Sequence, residues 1–400
     1  VALICALQTG MYGTFLAQDI FLFYFFWEVV LIPMFFLIGI WGGKDRLYAT
    51  IKFFIYTMVG SLLMLVAIFW LISSATKTLG YPTASIPQLM EYASIMSFDG
   101  TSLSSVFSST QTWLFLAFAL AFVIKVPMIP FHTWLPDAHV QAPTLGSVFL
   151  AAVLLKMGTY GLMRIAIPFF PQAAFYFADT FIILGIIGII YGALCALAQS
   201  DFKKLVAYSS VSHMGYIVMG LFSFQKIALA GSLYQMINHG ISAGGLFLIV
   251  GFLYERLHTR DLNDFGGLAK VVPIMAIAFM IMTLSSIALP GTNGFVGEFT
   301  ILLGTFQVKP LFTFLAGTGV IFGAVYALKA YQMVMLGPKN ESQKENAHIL
   351  DLNLKEIIAM VSLVVLVFGI GFFPKCFFHK SDATLSLYTE KLLSKVGTHE

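Results

Sequence analysis

The chain has 400 residues, 59% of them hydrophobic and 10% charged, with a formal net charge of +3. A soluble domain carries about 25% charged residues, so this composition excludes a water-soluble globule and reads as a polytopic membrane protein. The charge balance gives no basic surplus for nucleic acid, and no such partner is expected. Cys5, Cys195 and Cys376 are scattered in largely apolar context, with neither disulfide nor metal-ligand spacing. No glycine-rich dinucleotide or phosphate loop occurs, so no cofactor or metal site is expected in this chain. The sequence opens at Val1 inside a hydrophobic stretch, with no initiating Met or charged signal-peptide start. It therefore reads as an internal fragment with helices expected upstream.

A crossing helix needs about 20 apolar residues. Eleven stretches qualify in chain order: 1–18, 20–41, 50–73, 111–130, 143–167, 175–198, 205–223, 229–254, 271–305, 311–336 and 355–374. A Ser- and Thr-rich loop is expected over 74–110, and a short polar tail after 374. With connections alternating sides, Lys44, Arg46, Lys203, Lys204, Arg256, Arg260, Lys270, Lys339 and Lys344 gather at one end. Lys77, Arg164, Lys226 and Lys309 lie at the other, joined by the tail lysines. The richer end is expected to be cytoplasmic.

Two stretches carry proline where a helix should continue. One reads Ile-Lys125-Val-Pro127-Met-Ile-Pro130-Phe-His132, the other Leu-Pro290-Gly-Thr-Asn-Gly-Phe-Val-Gly-Glu298. Proline removes a backbone donor, and in lipid the freed groups must be met by protein or water. Paired breaks of this kind mark ion paths and internal repeats. Lys156 follows Lys125 by 31 positions, and Lys329 follows Glu298 by the same number. The fold expected is all-α: a polytopic membrane helix bundle with inverted five-helix repeats and two proline-broken helices. The units are 1–167 and 168–340, with 341–400 adding a final helix and the tail.

Ionisable groups deep in apolar helices cost about 2.5–3.5 kcal/mol each on insertion scales, so they face cavities, pair, or move protons. Glu28 lies about 12 Å into its span at 1.5 Å per residue. Lys125 precedes the first break, where freed carbonyls can receive its ammonium. Lys156 is too deep for easy snorkelling, whereas Lys329 can reach a headgroup along its stem. Glu298 follows three closely spaced glycines. His213 and His239 are central in their spans and can relay protons between ring nitrogens or simply be held neutral by a carbonyl. His132, Asp137 and His139 occupy the stretch after the first break, where they can gate a half-channel, or cap a helix and face the surface. Lys52, Asp179 and Lys226 are expected at headgroup level. A lysine–glutamate–histidine set strung through a bundle can pass protons through side chains and water, and no polar cluster suited to a sugar or amino acid accompanies it.

The stretches Phe-Phe-Trp-Glu28-Val-Val-Leu-Ile-Pro-Met, Lys125-Val-Pro-Met-Ile-Pro-Phe-His-Thr-Trp-Leu-Pro-Asp-Ala-His, Lys-Lys-Leu-Val-Ala-Tyr-Ser-Ser-Val-Ser-His213-Met-Gly and Leu-Pro-Gly-Thr-Asn-Gly-Phe-Val-Gly-Glu298-Phe closely resemble the antiporter-like membrane subunits of respiratory complex I, NADH-quinone oxidoreductase. The resemblance implies a fourteen-helix fold, three helices of which would precede Val1. It implies Glu28 paired with Lys125, Lys156 as the connecting lysine, His213 and His239 on a central polar axis, and Glu298 as the terminal proton-bearing residue. Lys329 rests on the repeat alone. Glutamate rather than lysine on the second broken helix separates this chain from sister subunits L and N and from Na⁺/H⁺ antiporter subunits. The implied partners are the other membrane subunits of the complex, especially L and N, together with the lipid bilayer, protons and internal water. The implied location is a bacterial inner membrane or its mitochondrial or thylakoid equivalent. NADH oxidation and quinone reduction, with flavin and iron–sulfur clusters, would belong to other subunits, and quinone reduction would drive this one. The readings left open are a multisubunit Na⁺/H⁺ antiporter subunit, a membrane-bound hydrogenase subunit or a photosynthetic relative, and a scaffold that transports nothing.

Overall fold

The computed structural model describes residues 1–338 and 349–396, and every long element in it is helical. In chain order these are α1 (Ala2–Leu16), α2 (Ile20–Trp41), α3 (Arg46–Leu79), α4 (Ile86–Ser94), α5 (Leu103–Ser108), α6 (Thr110–Lys125), α7 (Trp134–Gln141), α8 (Thr144–Phe169), α9 (Ala178–Leu197), α10 (Phe202–Phe222), α11 (Lys226–Leu257), α12 (Pro273–Ser286), α13 (Asn293–Phe306), α14 (Pro310–Met335), α15 (Leu354–Phe372) and α16 (Pro374–Val396). Among the described residues, eight helices are long and apolar enough to cross a membrane. The remaining crossings of the eleven expected are α1 and the two interrupted spans, α6 with α7 and α12 with α13.

Both interruptions fall at the expected prolines: residues 126–133 separate α6 from α7, and 287–292 separate α12 from α13. Gly291 (φ +93°) lies in the second break, a left-handed conformation that glycine alone enters without steric cost. A third departure had no proline to announce it. Within α8 the backbone widens into π-turns at Leu150–Leu154 and Leu162–Ala166, one on either side of Lys156. Such bulges occur mostly at functional sites.

The connections gather at two ends. At one, Gly43 N donates to Gln141 O, Phe202 N to Arg260 O, and Leu262 N to Ser200 O. Arg256 holds Glu356 there at 2.6 Å. At the other, Ile86 N donates to Gln18 O, and Lys309 pairs with Asp179 at 2.7 Å. The connections at the first end carry Lys44, Arg46, Lys203, Lys204, Arg256, Arg260 and Lys270 against Lys77, Arg164, Lys226 and Lys309 at the other, so the expected bias holds for the described connections, whereas α16 adds Lys375, Lys380, Lys391 and Lys395 to the opposite end and evens the total. Lys339, Lys344 and the 340/341 unit boundary lie outside the described residues.

Three expectations need correction. The stretch 74–110 is largely structured: α3 continues to Leu79, and α4 and α5 follow. The polar tail is the helix α16, which carries an apolar stripe along an otherwise polar face. It runs across the end opposite the basic one: Tyr234 Oη donates to Phe377 O, Lys226 pairs with Asp382 at 2.7 Å, and Tyr388 Oη donates to Met163 O at 2.6 Å. Lys52 is not a free lysine turned outward: it is largely covered and pairs with Asp137 at 2.7 Å.

The packing is inside-out relative to a soluble protein. The helices α10 and α11, among the most polar of the long spans, are buried along most of their length. The more apolar α3, α14 and α15 present large hydrophobic side chains outward. Lipid makes no demand for polar groups, so these turn inward, where partners exist.

Candidate functional site

The centre of the molecule is a face-to-face match of two polar stripes. On α10, Ser209, Ser212, His213 and Tyr216 recur at helical spacing, and on α11 Gln235, Asn238, His239 and Ser242 do the same. The broken span α12–α13 closes over them. Gly297 of α13 meets α11 so closely that a Cβ there would lie 2.1 Å from Gln235 Oε1 and 3.0 Å from Gln235 Cα. Only a residue without a side chain fits, and it brings Glu298 against both central helices.

Glu298 is 3% exposed. Its Oε1 lies 2.6 Å from His213 Nδ1 and accepts from Gln235 Nε2 at 2.8 Å. With a carboxylate at Nδ1, that nitrogen donates, and Nε2 is left to accept. Two hydroxyls serve it, Ser286 Oγ at 3.2 Å and Tyr326 Oη at 3.4 Å. This tautomer is assigned from the network. The His213 ring lies 5.4 Å, centroid to centroid, from that of His239. His239 Nδ1 is 2.6 Å from Lys156 Nζ, which also donates to Ala151 O at 2.5 Å. Ala151 belongs to the first π-turn of α8, so the irregular backbone holds the lysine in place. Lys156, His239, His213 and Glu298 thus form one line across the bundle, from α8 through α11 and α10 to α13.

The second break is held by a polar network. Ser242 Oγ and Ser285 Oγ are 2.6 Å apart, Ser285 Oγ donates to Asn293 Oδ1 at 2.5 Å, and Asn238 Nδ2 donates to Asn293 O at 2.7 Å. The groups exposed by interrupting the span are met by neighbouring protein, as lipid requires.

Lys125 forms a second centre. It is 1% exposed at the end of α6, with Nζ 4.5 Å from the centre of the Trp27 ring. A cation over an aromatic face is attracted by the ring quadrupole, and more so when desolvated. Glu28, one residue on, is the carboxylate whose field reaches Lys125. Among the described residues the two form no direct ion pair. Glu28 Oε1 and Lys125 Nζ are both buried without a hydrogen-bond partner, and such groups are normally satisfied by ordered water.

His139 of α7 is fully buried and stacked on Phe247 at 4.4 Å with an interplanar angle of 3°. Neither ring nitrogen has a protein partner, so it is no surface group. Asp137 pairs with Lys52 rather than capping a helix, and His132 is buried with its ring edge-on to Tyr191. Lys329 stands apart: it is exposed, six residues before the end of α14, and lines a surface pocket with Gln199 and Ser200. The equal 31-residue offsets do not make equal positions. Lys125 precedes its break and Glu298 follows its own, so the same count lands Lys156 mid-helix and Lys329 near a helix end.

Gln235, Ser286, Tyr326, Asn238, Asn293 and Trp27 were not singled out from the sequence. The polar spacing on α10 and α11 was the available signal for the α11 residues; Tyr326 and Trp27 gave none. Among the described residues, no group of three or more His, Cys, Asp or Glu side chains is placed to hold a metal ion.

A family model described as "NADH:quinone oxidoreductase/Mrp antiporter, TM" matches residues 17–323. The chain is 44% identical over 399 residues to NADH-quinone oxidoreductase subunit M of Rickettsia conorii, covering 98% of this chain and 76% of that protein. It is 42% identical over 397 residues to subunit M of Escherichia coli, covering 97% and 75%. Among solved structures, a chain of respiratory complex I from Thermus thermophilus with bound NADH superposes with a TM-score of 0.86 at 33% identity, over 98% of this chain and 79% of that one. A chain of the Mrp complex from Dietzia sp. shares the fold, with a TM-score of 0.79 at 19% identity over 99% and 78%.

Proposed function

Because this chain belongs to the NADH:quinone oxidoreductase/Mrp antiporter family of membrane subunits, we propose that it moves protons across an inner membrane as the subunit M module of a quinone-reducing complex. The reading is supported most by the line Lys156–His239–His213–Glu298, in which both direct side-chain contacts are 2.6 Å long. At that distance a proton can be held by either partner. His239 accepts from Lys156 at Nδ1, and His213 delivers to Glu298 from its own Nδ1. The two rings face each other across a gap that a reorientation or one water closes.

The first half supplies the other centre. Lys125, over Trp27 and in the field of Glu28, is the proposed acceptor on the far side of Lys156. Moving Glu28 toward Lys125 favours the charged ammonium, and moving it away favours proton release. One pK unit is about 1.36 kcal/mol, so a modest displacement in a low-dielectric setting suffices to direct transfer. The driving event, quinone reduction, takes place in other subunits, with L and N as neighbouring modules. The units 1–167 and 168–340 would be inverted repeats, each contributing one broken span. Na⁺/H⁺ exchange remains the second reading of the fold, and Glu298 in place of a lysine weighs against it.

The test is proton flux in vesicles containing the intact complex. Glu298→Gln and Lys156→Met are expected to abolish this chain's share of pumping while the complex still assembles. Wild-type proton-to-electron ratios in both variants would leave the chain a scaffold.

A further inference from the structure

Three cavities lie in series along α14, and one side chain borders all of them. The outermost, about 300 Å³, opens at the basic end beside Ala198, Gln199, Ser200 and Lys329. The next, about 10 Å³, is edged by Ser209, Thr283 and Ser286. The innermost, also about 10 Å³, is bordered by His213, Glu298, Gly319 and Gly323. A space of about 10–15 Å³ with polar partners holds one water; the innermost cavity has the Glu298 carboxylate and the His213 ring on its wall, and the middle one is mostly apolar with the hydroxyls of Ser209, Thr283, Ser286 and Tyr326 at its edge. Tyr326 borders each of the three. Its ring is 2% exposed, and its hydroxyl reaches His213 Nε2 at 3.4 Å.

We propose that Tyr326 is the inner gate of a proton inlet from the basic end directly into the second half, delivering to His213 without passing Lys125 or Lys156. This rests on the proton-transfer reading above and adds an entry route and a residue to it. A proton arriving on water in the inlet bonds to the Tyr326 oxygen while the phenol's own proton passes to His213 Nε2. His213 then releases its Nδ1 proton to Glu298 Oε1. The phenol ends as it began, the imidazole is neutral in its other tautomer, and Glu298 holds the added proton. A phenylalanine at 326 would keep the ring packing and interrupt the route.

Lys329 at the mouth gives its exposed position a use. It places a positive charge beside the opening, which disfavours every cation alike, so selection for protons falls to the narrow interior, where they are handed along hydroxyls. A site of two one-water cavities also excludes a hydrated sodium ion by size.

The experiment uses the intact complex in vesicles, with Cys5, Cys195 and Cys376 replaced by serine and Met333→Cys lining the outer cavity. A membrane-impermeant cationic methanethiosulfonate reagent is applied from either side. Expected is loss of pumping on modification from the basic end only, with unmodified Met333→Cys at wild-type flux. Tyr326→Phe is expected to lose most of the same flux at unchanged assembly; if it does not assemble, the thiol arm decides alone. Wild-type flux after complete modification of Met333→Cys overturns the inlet. In that case Glu298→Gln separates the two claims: if it still abolishes pumping, only the inlet falls, and if it too pumps normally, the relay falls with it.

Discussion

Glu298 shows how the central line is kept in register. Its Oε1 is shared between His213 and Gln235, so neither partner alone fixes it. Hydrogen bonds to charged groups contribute about 1.5–3 kcal/mol each. Gln235→Leu is therefore expected to leave the complex assembled but to loosen Glu298 from His213, reducing pumping less than Glu298→Gln does; proton-to-electron ratios of the two variants measured side by side check the order. At the other centre, Trp27 rather than a carboxylate touches the Lys125 ammonium. Trp27→Leu removes the ring face at roughly preserved apolarity, and loss of a desolvated cation–π contact costs about 2 kcal/mol. The expected outcome is a lowered thermal midpoint of the purified complex together with impaired pumping. An unchanged midpoint with unimpaired pumping would show that the ring contributes nothing to holding Lys125.

At the scale of elements, the broken span works because its glycines let α13 lie against α11. Gly297→Ala would place a methyl carbon 2.1 Å from Gln235 Oε1 and 2.9 Å from its Cβ. Overpacking of this kind typically costs about 1–3 kcal/mol. The variant is expected to assemble in lower amount and to melt earlier, whereas Gly317→Ala, on α14 with nothing within 4 Å of the added carbon, should be neutral on both measures. The π-turns flanking Lys156 explain why that lysine can bond a carbonyl of its own helix and a histidine of another at once. A regular α-helix would have used Ala151 O in its own ladder.

Over the whole molecule, connections alternate between a basic end and an opposite end, with α16 strapped across the latter. Cysteines introduced at Lys44 and at Lys309 should therefore be labelled by impermeant reagent from opposite faces of the membrane; labelling of both from one face would refute the alternation. The strap ties α11 to α8 through Tyr234 and Tyr388. Hydrogen bonds of this type are worth about 0.5–1.5 kcal/mol net, so Tyr234→Phe with Tyr388→Phe should lower the thermal midpoint additively, the sites being far apart.

The sequence by itself determined the class, the crossings and both broken spans, and six of the seven side chains it singled out lie in the two buried clusters. It could do so because lipid punishes every buried charge and every proline-freed carbonyl, which makes such residues conspicuous against an apolar background. It had no means of seeing α16 or the short helices α4 and α5 within 74–110, whose mixed polarity looks like loop when the surface they cover is unknown. Tertiary structure alone decided that Lys329 is outside the line, that Lys52 answers Asp137, and that His139 is buried. It also decided that Gln235, Ser286 and Tyr326 converge on His213 and Glu298. Depth along a helix can be counted in residues, but which face of it meets another helix depends on how the helices pack, and hydrogen-bond partners 63 to 113 positions apart are set by that packing.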